Sequence, residues 1–431
     1  NASKAYSVFA PSDVAMNNFF DNYWEKGGYE SLDDVDDLAM KYMLNQFIYK
    51  DGIAFPDEIT SGKVKNMYDM IFNFDPSKVT DKSMCVNGVF YGLNTIDTPI
   101  LFASVVGPAF RNKDCNYYLY MLDGTGLITA YSSQDTKYVL LVPTNEQIES
   151  EDIYLRTYAD GSRLQQETED GLVDVSSSVM RTIVNIHTAT GVDGLKTNGT
   201  QVLATQTGFN YWYVKDGKIT SSAAYNQILE PDNNVEPFSE FTEVKNGNDN
   251  WNNGRTYMYS GTALFQAQEG DGLQHKLSVC NDNRYVYYQF AQLLQKADMV
   301  MSSNYIFGLA GASHVIGFIP TNEAISTAIA AGQIPGMDAT GTVTSSSKLR
   351  QYLLSYFIRD RENALISYPY PGSAMKSSTY VTASGKSLTY TDSGSSLSIM
   401  VDGKVANVIS DYNFFPFAFD DGCFQLIDTV L

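Results

Sequence analysis

The residues best suited to acid–base or metal chemistry are three histidines: His187, His275 and His314. None lies three or four residues from another, so no helical pair of metal ligands forms. His187 reads as a satisfied core or edge histidine rather than a base, while His314 precedes a strand-like run and reads as solvated. No GxSxG nucleophile elbow is present, and the Gly372–Ala374 and Gly394–Ser396 tracts are loop composition. Neither a P-loop nor a GxGxxG following a strand occurs, so no cofactor is expected. The 49 acidic residues leave room for a carboxylate pair of the glycosidase kind, but no motif marks one.

Side chains that bind rather than react are more conspicuous. Phe209–Val214 is a strand with aromatic or apolar residues on both faces. If one face packs inward, Trp212 points out and, with Trp251, makes a stacking platform for a sugar or a partner protein. The alternative is a strand buried on both sides. Tyr368 and Tyr370, in the Ala364–Tyr380 tract, stand in an exposed-looking loop of the kind that carries binding residues. The ligand-binding candidates are therefore Trp212, Trp251, Tyr368 and Tyr370. The acidic and amide-rich run Glu230–Asn253 could offer oxygen ligands to calcium, but its spacing does not match an EF-hand loop and it reads as a solvated surface loop. Cys85, Cys115, Cys280 and Cys423 include no CxxC and no nearby histidine, which argues against zinc. They read as small buried apolar side chains, with two disulfides as the upper limit.

These residues must be held by more than one core, because single cores stop growing near ~250–300 residues and the chain has 431. A hydrophobic share of 44% with 30 Tyr and 23 Phe is ample for packed domains. The formal net charge of −20 repels nucleic-acid phosphates and anionic membrane surfaces alike. No run approaches the ~18–20 apolar residues of a membrane span. The sequence opens at Asn1 without a basic and apolar leader. It is expected to be a mature or trimmed product, compatible with a lost N-terminal lipid anchor.

A short pattern occurs three times: Ser7-Val8-Phe9-Ala10-Pro11-Ser12-Asp13, Leu140-Leu141-Val142-Pro143-Thr144-Asn145-Glu146 and Gly317-Phe318-Ile319-Pro320-Thr321-Asn322-Glu323. The apolar run suits a buried strand, and proline ends it because it cannot donate to the ladder. Ser12, Thr144 or Thr321 then stands where an N-cap hydroxyl accepts from the first helical amides. A second element follows each corner at similar spacing, at Leu44–Ile48, Val184–Thr188 and Leu354–Ile358, and reads as a helix running into a strand. A third closes each unit with Asn87-Gly88, Asn253-Gly254 or Asp421-Gly422, read as hairpin turns before a strand. Order and spacing together carry the repeat.

These elements resemble the fasciclin (FAS1) domain. Ser7–Met16 and Gly317–Ser326 are similar to its opening signature, Ile183–Thr188 and Leu353–Ile358 to its middle one, and Asn87–Phe90 and Phe424–Leu431 to its closing one. Of the family's Tyr-His pair only His187 keeps the histidine, with Phe47 and Phe357 read as its counterparts. The resemblance implies an α+β fold of tandem modules, each a small β-sandwich or wedge with helices at one end: 1–102 (lacking its opening helices), 103–279 (with a long polar insertion) and 280–431. It also implies a non-enzymatic adhesion or binding protein of the bacterial cell envelope, located outside the cytoplasm, with a surface protein or glycan as partner. A polysaccharide-acting enzyme and a passive spacer are the alternatives.

Overall fold

Pro11, Pro143 and Pro320 stand at equivalent corners in the computed structural model, which describes residues 5–50, 52–71, 75–234, 236–268, 272–302, 305–312, 314–360, 372 and 377–431. The chain is α+β and divides into two compact units, residues 1–195 with 239–264 and residues 196–238 with 265–431.

In the first unit the corner strand Tyr6–Pro11 is central. It runs antiparallel to the return strand Ile48–Tyr49 and parallel to the closing strand Gly88–Leu93, which pairs with Val79–Cys85. The same unit repeats this order with the corner strand Tyr138–Leu141, the return strand Thr188–Thr190, the closing strand Gly254–Tyr259 and Ser239–Val244 beside it. In the second unit His314–Pro320 takes the corner place. Phe357–Asp360 returns antiparallel, Gly422–Ile427 closes parallel and Phe417–Phe419 pairs with the closing strand. Part of the Glu230–Asn253 run, expected as loop, is thus strand Ser239–Val244.

The corners form for the reason the residues suggest. The hydroxyl of Ser12 accepts from the Ala15 amide at 3.2 Å, that of Thr144 from Gln147 at 3.2 Å, and that of Thr321 from Ala324 at 3.3 Å. At Thr144 the Gln147 side chain returns the bond to the Thr144 amide at 2.9 Å, which completes a capping box. The second elements are helices Asp37–Asn45, Ser177–Ile186 and Ser346–Leu354, each leading into its return strand.

The amide of Phe9 donates to the Phe47 carbonyl, that of Leu141 to His187 and that of Phe318 to Tyr356, each at 2.9 Å. The structural counterpart of His187 beside the corner strand His314–Pro320 is therefore Tyr356, one residue before the expected Phe357. The hairpins also shift by one. Gly88 and Gly422 are the first residues of their strands, paired with Cys85 and Phe419, so the turns are Val86-Asn87 and Asp420-Asp421. The glycines serve the neighbouring strand rather than the turn. A Cβ at Gly88 would land on the Tyr6 carbonyl, 2.9 Å from its carbon, and one at Gly422 would meet the Val315 carbonyl carbon at 3.1 Å.

Each unit has its own core. In the first, Trp24, Phe102 and Phe110 are fully buried, with Phe102 stacked on Phe110 at 4.5 Å between ring centres. In the second, the meander Thr200–Ala204, Tyr211–Lys215 and Lys218–Ser221 sends Tyr213 into a cluster with Tyr225, Phe415 and Phe417. Burying a side chain of this size contributes roughly 1.5–3 kcal/mol. Among the described residues no helix is long and apolar enough to cross a membrane.

Candidate functional site

The expected aromatic platform does not form. Trp212 is fully buried on a strand covered on both faces, paired across to Leu203 and Ser221. Trp251 is 3% exposed, its indole N–H donating to the Val244 carbonyl at 2.6 Å and the Arg111 guanidinium lying 5.2 Å above its ring. Neither ring has a face to offer, because period-2 alternation does not distinguish a half-buried strand from one buried twice when both faces are apolar. Tyr368 and Tyr370 lie outside the described residues.

The histidines divide differently from expectation. His187 lies in the core, one of the two settings expected for it: Nδ1 lies 2.7 Å from the Ile183 carbonyl and Nε2 3.0 Å from the Tyr259 hydroxyl. Burial pushes its pKa down to about 4, which keeps the ring neutral. His314, expected in solvent, is instead 6% exposed and stacked on Phe209 at 5.8 Å. Three cysteines are buried, as their type suggests, but Cys85 is exposed, and all four are free thiols. Among the described residues no group of three or more His, Cys, Asp or Glu is placed to hold a metal ion.

A different site emerges in the second unit, where the loop after the strand Lys404–Asn407 meets the meander. A cavity of about 380 Å³ is lined by Thr200, Lys215, Gly394, Ser395, Ser410, Asn413 and Phe414. A second, of about 260 Å³, shares Lys215 and Asn413 with it. The Lys215 ammonium donates to the Asn413 side-chain carbonyl, so this pair forms the wall common to both.

The loop is strained where it forms that wall. Asn413 and Phe414 have φ of 55° and 62°, two successive left-handed residues neither of which is glycine. Asparagine tolerates this region, but a bulky ring there is a genuine outlier. Such conformations cost on the order of 1–3 kcal/mol each and persist only when the surroundings over-determine them. The surroundings here do so. The Tyr213 hydroxyl donates to the Pro416 carbonyl at 2.7 Å, and the Gln425 amide donates to the Phe414 carbonyl at 2.5 Å. The Tyr225 hydroxyl donates to Tyr412 and reaches the Phe415 carbonyl at 3.3 Å. Burial raises both phenols well above their ordinary range, so the donated protons stay in place. The arrangement gathers the hydroxyls of Thr200, Ser395 and Ser410, the Lys215 ammonium, the Asn413 amide and Phe414 around one cavity. Only the adjacency of Asn413 and Phe414 hints at it in sequence, and that pair is too common to signal a site.

No protein-family model matches the chain, and no curated relative matches it. Among solved structures, the chain is similar to a FAS1 domain pair from the insect cell adhesion molecule fasciclin I, at 13% identity and a TM-score of 0.30, over 73% of this chain and 95% of that one.

Proposed function

We propose that the chain is a non-catalytic binding protein of the bacterial cell envelope. On this reading it is built of three fasciclin-like modules, 1–102, 103–279 and 280–431, and takes a sugar at the Lys215–Asn413 wall. The modular part is supported by the sheet order repeated at Pro11, Pro143 and Pro320, together with the signature residues at each corner. The ligand part rests on one observation: two adjacent non-glycine residues held at positive φ on the wall of a hydroxyl-lined pocket. Hydroxyl, amide and ammonium groups match the alternating donors and acceptors of a sugar, and a ring such as Phe414 suits its apolar face.

The test is a glycan array probed with the full chain and with Lys215→Met and Asn413→Val. Capture of a defined glycan group, weakened about tenfold or more in both variants, is expected. An array without binding, or with binding that both variants retain, defeats the ligand assignment. Release of reducing ends from a captured glycan defeats the non-catalytic part.

A further inference from the structure

The first unit holds a separate cleft of about 280 Å³, at the lower edge of the ~300–1,000 Å³ common for ligand pockets. It opens where the first return strand leaves its helix. The apolar walls are Phe47, Met70, Ile71, Leu93 and Ile96. Phe47 and Leu93 are buried, whereas Ile71 is 51% exposed at the mouth.

The polar groups of the floor are spent on one another. The Asn66 amide donates to the Gln46 side-chain carbonyl at 2.8 Å, and its own carbonyl accepts the amides of Tyr68 at 2.9 Å and Met70 at 3.1 Å. A polar ligand group entering here would leave water for little return, so the depth of the cleft favours an apolar occupant. The mouth is different. Lys78 is held by both oxygens of Asp97 at 2.6 and 2.7 Å, and Asp75 adds a second carboxylate. The Ser77 amide, bonded to Asp75 at 2.9 Å, holds that carboxyl below its usual range, so it is charged. Two carboxylates against one ammonium leave the mouth with a net negative charge, on a chain that is itself at −20. Its field draws cations toward the site.

We infer that this cleft seats one large apolar side chain of a partner peptide, with a neighbouring Lys or Arg of that peptide reaching the carboxylate of Asp75. The cavity is sized for a side-chain anchor, and the rim supplies the complementary charge that selects the segment bearing it.

The test is fluorescence polarisation of the full chain with three labelled nonapeptides of Gly and Ser, centred on Arg-Leu-Arg, Glu-Leu-Glu or Arg-Ser-Arg. The Arg-Leu-Arg peptide is expected to bind about tenfold or more tighter than either other peptide. Ile71→Asn, at an exposed position that leaves folding intact, is expected to remove most of that preference over Arg-Ser-Arg. Asp75→Asn is expected to reduce the preference over Glu-Leu-Glu. Equal binding of Arg-Leu-Arg and Arg-Ser-Arg would show simple attraction to an acidic surface and overturn the inference. So would absence of peptide binding, or an Ile71→Asn chain that binds as the parent does while unfolding at the same denaturant concentration.

Discussion

Gly254 lies directly beside Tyr138 across a parallel strand pair, so close that a Cβ on the glycine would fall on the Tyr138 carbonyl oxygen and 2.9 Å from both its carbon and its amide nitrogen. The same register brings Gly88 beside Tyr6 and Gly422 beside Val315. Backbone cannot yield as a flexible side chain would, so Gly→Ala at any of the three is expected to cost about 3 kcal/mol or more. Gly208→Ala, with open space around it and no left-handed φ, serves as a comparison. Urea denaturation monitored by circular dichroism measures both. A Gly254→Ala chain as stable as its parent would mean that the two strands are not held at this separation.

The corner hydroxyls are equivalent in geometry and should be equivalent in energy. Ser12→Ala, Thr144→Ala and Thr321→Ala are each expected to destabilise by about 1 kcal/mol. Chemical denaturation of the three variants measures each cost, and the prediction is lost if any of them is as stable as the parent.

His187 gives stability a pH dependence with a definite sign. Its folded pKa of about 4 lies below the ordinary 6.5, so the unfolded chain binds more protons between these values. The neutral buried ring supports the fold fully above pH 6.5, and the support drains as pH falls toward 4, by about 3 kcal/mol in all. Against a His187→Phe chain, the difference in unfolding free energy should shift by that amount between pH 7 and pH 4. A difference that stays constant over the range would place the ring in contact with water.

The strained loop is expected to answer to its distant clamps. Tyr213→Phe removes the donor to the Pro416 carbonyl and leaves that acceptor buried, at a cost of about 1–3 kcal/mol. It should also weaken any ligand held at Lys215, although Tyr213 is fully buried. Asn413→Val should cost about 2 kcal/mol, since a β-branched residue suits positive φ poorly. Denaturation curves read both costs, and a Tyr213→Phe chain unchanged in stability and binding would sever the link between clamp and pocket.

Much of the architecture was legible because it is local. A strand ending at proline, a hydroxyl at the next residue and an acidic or amide first turn define the corner within seven residues, and three copies in one order make chance a poor explanation. The glycines were recognised, but their reason was not. A turn and a close backbone approach both call for glycine, and only the register of the partner strand tells them apart.

The sites were less legible, because burial on the second face of a strand is a property of what packs against it. Trp212 and Tyr213 point to opposite faces as any exposed-and-buried pair would, and it is the covering of both faces that hides the indole. The burial of His314 likewise depends on Phe209, 105 positions earlier, which stacks on it.

By itself, the amino-acid sequence determined the α+β class, the three strand-to-helix corners and their caps, since each depends on residues within a turn or two of one another. Only the tertiary structure decided which aromatic rings meet solvent, that Tyr356 takes the place of His187 beside the corner strand His314–Pro320, and that Asn413 and Phe414 are forced to positive φ beside Lys215. Those outcomes depend on contacts between residues as far apart as Tyr213 and Pro416, and such contacts leave no periodic trace along the chain.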